Sequence, residues 1–267
     1  MAGLFQVLHG KEDGTFRRAE VLKGTDGKPL IIPVKGRSWA ENICTRPFAI
    51  DWDGDGNLDL VVGTFTGTFH LFKGQGKGKF PPEPEDVTVD GRPLKIDGYH
   101  SDPFVVDWDG DGDLDLLSGS AEGGVQWAEN RSGPGKPPQL KPFRTLIAHG
   151  PPLEYGQILR EADLKAPSGN TRIWVDDVNS DGKLDILVGD MTPLVSPADD
   201  KLTAAEFKRK FTAWNTAVGK AATELNASRD DPKKQAEARQ RYQKLYEQRS
   251  EFMKEDRTGF VWLYLRK

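Results

Sequence analysis

Three nine-residue stretches place side-chain oxygens at positions 1, 3, 5 and 9 and a glycine at position 6. The first holds Asp51, Asp53, Asp55, Asn57 and Asp59 around Gly56. The second holds Asp107, Asp109, Asp111, Asp113 and Asp115 around Gly112. The third holds Asp177, Asn179, Asp181, Lys183 and Asp185 around Gly182. Position 7 (Asn57, Asp113, Lys183) is counted for its backbone carbonyl. The chemistry these residues suit is the binding of a hard cation. Ca²⁺ takes six to eight oxygens at about 2.3–2.6 Å, accepts carboxylates at alternate positions of a loop, and needs a sharp turn at which glycine sits. Aspartates at this density repel one another unless solvent or a cation neutralises them. An acidic surface turn is the alternative, since Asp-Gly is an ordinary turn signal. Three copies with the same oxygen positions favour the ion. The expectation is about three structural Ca²⁺, bound most weakly at the third loop, which has the fewest carboxylates.

The elements that must position these loops are strands. An EF-hand would need Glu at position 12 and flanking helices. Position 12 is Val62, Ser118 and Val188, and the flanks are short apolar β-type runs. The reading is strand A, loop, strand B, strand C, strand D in each repeat. Strand A is 48–50, 104–106 and 173–175. Strand B is 58–62, 114–118 and 184–188. Strand C is 68–72, 124–128 and 260–265. Such units spaced along the chain predict β-propeller blades. A second motif recurs in step as Asp26-Gly27-Lys28-Pro29-Leu30 and Asp90-Gly91-Arg92-Pro93-Leu94, with a degraded copy at 150–153.

The stretches DWDGDGNLDLVVG, DWDGDGDLDLLSG and DVNSDGKLDILVG resemble the FG-GAP/VCBS repeat, the calcium-loop blade of integrin α-subunit heads and of many bacterial secreted proteins. The segments that follow, GTFHLFKGQGKGKF and GGVQWAENRSGPGK, are similar to the later half of that repeat. The resemblance implies a calcium-loop β-propeller, bacterial in type, living outside the cytoplasm. It implies no particular activity, because the fold is a scaffold with many uses.

Frequent glycine and proline with modest hydrophobic content fit an all-β repeat protein. One cysteine, Cys44, excludes an intrachain disulfide. Three bound Ca²⁺ would turn the formal charge of −4 into about +2. No basic stripe points to nucleic acid, no apolar run reaches the roughly 20 residues of a membrane span, and the start is not a signal peptide. Three blades and a leading half, with strands at 4–8 and 15–22, fall short of the roughly four to eight that close a ring. The expectation is therefore a partial ring with an open edge, prone to self-association. A missing upstream segment is favoured over assembly of copies as the cause.

Residues 197–257 lose glycine and gain Ala, Lys, Glu, Gln and Arg. Thr203 and Glu206 form a capping box, and Asp231 with Pro232 starts a second helix. Apolar stripes run Phe207, Phe211, Trp214, Val218, Ala221, Leu225, and Ala238, Tyr242, Leu245, Phe252. The expected organisation is blades over 1–196, an inserted antiparallel helical hairpin over 197–257, and a final strand over 258–267. The stripes bury against each other, or Phe207, Phe211 and Trp214 meet a partner. The leading functional expectation is a non-enzymatic module binding a protein or glycan at the hairpin face, which blade topology sets opposite the calcium loops. One alternative is a carbohydrate-active lyase or hydrolase using His100, Tyr99, Arg46 and Arg172, beside Asn42, Asp102 and Asn170 on the connectors into strand A. The other is a structural envelope component.

Overall fold

The computed structural model describes residues 3–34, 36, 38–151 and 154–267, which leaves Pro152 and Leu153 of the degraded third motif outside the described residues. The chain divides into two compact units. One comprises Met1–Gly150, Ala166–Met191 and Gly259–Lys267; the other comprises Pro151–Lys165 and Thr192–Thr258.

The first unit is built from short antiparallel strands, as β-branched and aromatic runs punctuated by Gly and Asp turns dictate. A leading hairpin pairs β1 (Gln6–Val7) with β2 (Glu20–Val21). The first blade has the order β3 (Arg46–Ile50), β4 (Asp59–Gly63), β5 (Phe69–Phe72), β6 (Glu85–Asp86). A small hairpin follows, β7 (Thr88–Val89) with β8 (Arg92–Pro93). The second blade repeats the pattern with β9 (Asp102–Val106), β10 (Asp115–Gly119), β11 (Val125–Ala128) and β12 (Arg144–Ile147). The third starts with β13 (Gly169–Asp176) and β14 (Asp185–Pro197); β15 (Met253–Thr258) and β16 (Val261–Tyr264) complete the strand set. The first part of β14 pairs with β13 and β16, giving strands A, B and C of that blade. The fold is mainly β, made of blades that form no closed barrel. Strand B begins one residue later than its apolar run, at the position-9 aspartate, which is the first residue to pair with strand A (Ile50 with Asp59, Val106 with Asp115, Asp176 with Asp185).

Blades stack face to face, and the front positions of the first blade recur in the second. The front of the leading hairpin (Phe5, Leu30, Ile32) meets the back of the first blade (Val62, Phe72, Phe80). The front of the first blade (Trp52, Val61, Phe69, Leu71) meets the back of the second (Val105, Leu116, Ala128, Leu140). The front of the second (Trp108, Leu117, Val125, Trp127) meets the third blade at Ile173, Val175, Ile186 and Val188. Glycine closes the two junctions between blades. A side chain at Gly63 would run into the carbonyl of Ser101, and one at Gly119 into that of Thr171. The hydroxyl of the next blade locks the contact: Thr64 N–H donates to Ser101 Oγ and Ser120 N–H to Thr171 Oγ1, each at 2.8 Å.

In the second unit, α1 (Ala204–Ala227) starts at the Thr203–Glu206 capping box and α2 (Pro232–Glu247) at Asp231. The later part of β14 pairs with β15 to make a ribbon, Thr192 with Thr258 through Pro197 with Met253. The helical periodicity gave no sign of this ribbon. Phe207, Phe211, Trp214 and Val218 are buried with Val195, Phe252 and Met253, and Ile158, Tyr242 and Leu245 lie against them. Trp214 Nε1 donates to the carbonyl of Leu245 at 2.7 Å. The aromatic stripe is thus core, so Phe207, Phe211 and Trp214 offer no surface to a partner. No described helix is long and apolar enough to cross a membrane.

Candidate metal loops and the inner row

The three loops share one hydrogen-bond scheme. The position-1 carboxylate accepts from the glycine N–H at position 6: Gly56 to Asp51 Oδ2 at 2.9 Å, Gly112 to Asp107 Oδ2 at 3.0 Å, Gly182 to Asp177 Oδ2 at 2.9 Å. Those glycines sit at φ +87°, +91° and +82°, the left-handed region that only glycine enters freely. The position-3 oxygen accepts from the N–H of position 5 in Asp53, Asp109 and Asn179. The position-5 oxygen accepts from position 7 in Asp55, Asp111 and Asp181. Short polar side chains bonding the backbone two residues on are what wind the loop.

This winding gathers carboxylates. Asp51, Asp53 and Asp59 each bring an oxygen within 4.8 Å of the others, and so do Asp107, Asp109 and Asp111. The third loop gathers Asp177, Asn179 and Asp181 by hydrogen bonds among themselves, with Asn179 Nδ2 donating to Asp181 Oδ2 at 3.1 Å. Asp51 Oδ1 is buried and accepts no hydrogen bond. A buried acceptor without a donor is uncommon in a native fold, and a bound cation would satisfy it. The donor set, all carboxylate, amide and carbonyl oxygen, suits Ca²⁺.

Position 9 has a second duty that its spacing did not reveal. Asp59, Asp115 and Asp185 are fully buried, and each accepts two backbone N–H groups. One comes from position 2 of the loop and one from the end of strand C: Trp52 and Gly74, Trp108 and Asn130, Val178 and Arg266. Each aspartate therefore pins its loop to its own sheet. Burial drives the Asp59 carboxyl above its ordinary range. Burial does the same to Asp115, with Asp109 and Asp113 adding repulsion, and takes it to about 6. Asp109 and Asp113 are also raised, by burial first and by Asp111 as a neighbouring charge.

The position-7 residues differ. Asp113 is buried; its Oδ2 accepts from Gly133 N–H at 2.7 Å and its Oδ1 has no donor. Lys183 is exposed. In the first blade Lys73 Nζ lies 3.7 Å from Asp53 Oδ2; the equivalent residue of the second blade is Glu129.

Position 2 also divides the repeats. Trp52 and Trp108 are buried at the junction with the following blade, and Trp52 Nε1 donates across it to the Leu114 carbonyl at 2.9 Å. Arg266 of the third blade sets its guanidinium over the Trp108 ring at 4.9 Å and donates to the Trp108 carbonyl. Val178 holds that position in the third repeat and is exposed.

Strand A lines up a further set of residues, seven, five and three places before each loop. Cys44, His100 and Asn170 all have φ between +52° and +58°. Arg46, Asp102 and Arg172 form a charge row. Asp102 Oδ1 is 3.0 Å from Arg172 and 3.8 Å from Arg46, and Arg46 also donates to the His100 carbonyl. Burial raises the Asp102 carboxyl, against the pull of both arginines, and lowers Arg46. Phe48, Phe104 and Trp174 form an aromatic row with centroids 4.8 and 5.5 Å apart. His100 Nδ1 is 3.4 Å from Asn170 Oδ1, and its ring lies against Phe65 and Tyr99. Burial lowers its pKa. Asn42 is buried in a short 3-10 turn, Trp39–Asn42. The connectors thus bring Arg46, Tyr99, His100, Asp102, Asn170 and Arg172 together. Writing the three repeats in columns would have shown the row.

No curated protein and no solved structure matches the chain. Residues 51–118, which run from the first loop through strand B of the second blade, match the FG-GAP-like repeat.

Proposed function

From the match of residues 51–118 to the FG-GAP-like repeat, we propose that this chain is a calcium-clamped β-propeller-type scaffold that binds a partner without catalysing a reaction. The observation that carries the calcium reading is the convergence of Asp51, Asp53 and Asp59, with a buried acceptor on Asp51 that no donor satisfies. Calcium fits the oxygen-only donor set. Its work is structural: it neutralises carboxylates that the loop winding forces together, and so ties strand A to strand B. Asp51, Asp53, Asp55 and Asp59 would hold the first ion, Asp107, Asp109, Asp111 and Asp115 the second, and Asp177, Asn179, Asp181 and Asp185 the third. The carbonyls of Asn57, Asp113 and Lys183 and water complete the shells. Loops of this kind suit the millimolar calcium found outside cells, which supports a location beyond the cytoplasm.

The partner is a protein or a glycan, met by the helical hairpin. With Phe207, Phe211 and Trp214 in the core, the contact falls to the polar groove lined by Lys220, Glu224, Arg241 and Lys244. Isothermal titration with Ca²⁺ and with Mg²⁺, and melting with and without chelator, test the metal. Two to three Ca²⁺ per chain and a lower melting temperature on chelation are expected. A melting temperature indifferent to chelator sinks the structural role. A glycan array and a pull-down, each repeated with Lys220→Glu and Arg241→Glu, test the contact; capture that these changes leave intact removes the groove from it.

A further inference from the structure

The repeat equivalences expose two faces that lack the cover their counterparts have. The front of a blade is read from four positions. In the first blade they are Trp52, Val61, Phe69 and Leu71, and in the second Trp108, Leu117, Val125 and Trp127; all eight are buried by the blade that follows. In the third blade the same positions are Val178, Leu187, Val261 and Leu263. All are apolar, yet Val261 is 72% and Leu263 48% exposed, and Val178 and the neighbouring Leu265 and Trp174 are exposed too. At the other end, Leu8 and Phe16 of the leading hairpin occupy the places of Phe72 and Phe80. The register follows from the matching turn bonds, Lys11 N–H to the Thr15 carbonyl and Gln75 N–H to the Lys79 carbonyl. Phe72 and Phe80 are buried by the hairpin in front of them, whereas Leu8 is 51% and Phe16 62% exposed.

We infer that the front of the third blade and the back of the β1–β2 hairpin are the two halves of one interface, which in this chain as given is filled by a second copy joined head to tail, in place of the upstream segment that the sequence favours. The chain makes this front-to-back contact three times within itself, so the chemistry of the missing partner is known: an apolar blade back. The hairpin is the one apolar back left uncovered among the equivalent backs described.

The inner junction supports the same occupant. The first two blades close on the next strand A through Thr64 with Ser101 and Ser120 with Thr171. In the third blade that place is Asp190. Its oxygens accept from Phe260 N–H, Trp262 Nε1 and Ser168 N–H of its own sheet, and its N–H is bonded to the Phe260 carbonyl. The site is built for a neighbour without an inner strand, and the β1–β2 hairpin is such a neighbour. The contact is heterologous, so it closes into a ring or runs on as a filament. Two copies supply six blades and two hairpins, within the roughly four to eight blades of closed rings, and a two-copy ring is the expected form.

Sedimentation and light scattering of the calcium-saturated chain over a wide concentration range test this. The expected mass is that of two chains. Phe16→Lys blocks the back and Leu263→Lys the front. Each should halve the mass while keeping the gain in melting temperature that calcium gives, since both side chains are exposed in the single chain. An equimolar mixture of the two variants should regain a two-chain species, because one keeps its front and the other its back. A wild-type chain monomeric at every concentration, a single variant that stays dimeric, or a mixture that stays monomeric overturns the inference. If either variant fails to fold, Leu8→Cys with Leu263→Cys in a Cys44→Ser background replaces it. An intermolecular disulfide on oxidation is then expected, and its absence is a refutation.

Discussion

At the scale of single residues, the loops are not equivalent, and the differences set the order of calcium affinity expected of them. The second loop has five carboxylates and no lysine at the place of Lys73. The first has four and Lys73 beside Asp53. The third has three, with Asn179 at position 3 and an exposed Lys183 at position 7. Charge count tunes calcium affinity. The expected order is second, first, third, and calorimetric titration of Asp111→Ala, Asp55→Ala and Asp181→Ala should remove the sites in order of decreasing affinity. Asp115 adds a pH dependence. Its carboxyl titrates near 6 in the folded chain against about 3.9 in an unfolded one. Because the folded state holds the proton more tightly, the metal-free protein loses stability as pH climbs from about 4 to about 6 and levels off above. Calcium requires the ionised form, so its affinity should rise through the same window, by up to about tenfold per pH unit for one displaced proton. A calcium titration at pH 5 and pH 7 that gives one and the same affinity contradicts this.

At the scale of elements, the junctions between blades carry more than their area suggests. Gly63 and Gly119 let the next strand approach to contact, whereas the equivalent Gly189 has only its own sheet's Arg172 carbonyl nearby, at van der Waals distance. Alanine at Gly63 or Gly119 should therefore cost about 1–3 kcal/mol by overpacking, and alanine at Gly189 much less. Denaturant unfolding of the three variants measures it. Trp52→Ala and Trp108→Ala should each cost about 3–5 kcal/mol, since each ring is buried between blades, while Val178→Ala should cost well under 1 kcal/mol. The helical hairpin is expected to be an addition to the third blade. Gly189 pairs with Val261, and Asp190 N–H bonds to the Phe260 carbonyl, so the ends of the insertion already lie side by side. Replacing Thr192–Thr258 by a short Gly-Ser turn should leave the calcium-dependent β signal in circular dichroism. Loss of that signal makes the hairpin indispensable to the blades.

At the scale of the whole molecule, the two compact units differ in what stabilises them. The first holds all three loops; the second holds a core of Phe207, Phe211, Trp214, Val218 and Phe252 with no loop of this kind. Chelation should lower the melting of the first unit and leave that of the second in place, so that one calorimetric peak becomes two. Helical ellipticity, which comes from α1 and α2 of the second unit, assigns the peaks. Joint melting at every calcium level argues that the units are one cooperative body.

Local chemistry was legible along the chain. The carboxylate spacing, the glycine at position 6, the apolar runs beside each loop and the helix caps at Thr203 and Asp231 all act within a few residues, so order along the chain carries them. The contacts that only folding creates were not. Position 9 appeared as a metal ligand, and its clamp on Gly74, Asn130 or Arg266 depends on a strand 15 to 81 residues away. The ribbon of Thr192–Pro197 with Met253–Thr258 spans both helices, and no local period announces such a pairing. The aromatic stripe of α1 left core or contact surface open, with core the favoured reading, because amphipathicity marks a face to be covered without saying what covers it. Packing settled that for Phe207, Phe211 and Trp214, and it separated the buried Trp52 and Trp108 from the exposed Val178. Three repeats nearly equal in sequence differ in environment because burial belongs to neighbours in space, and each blade has different ones.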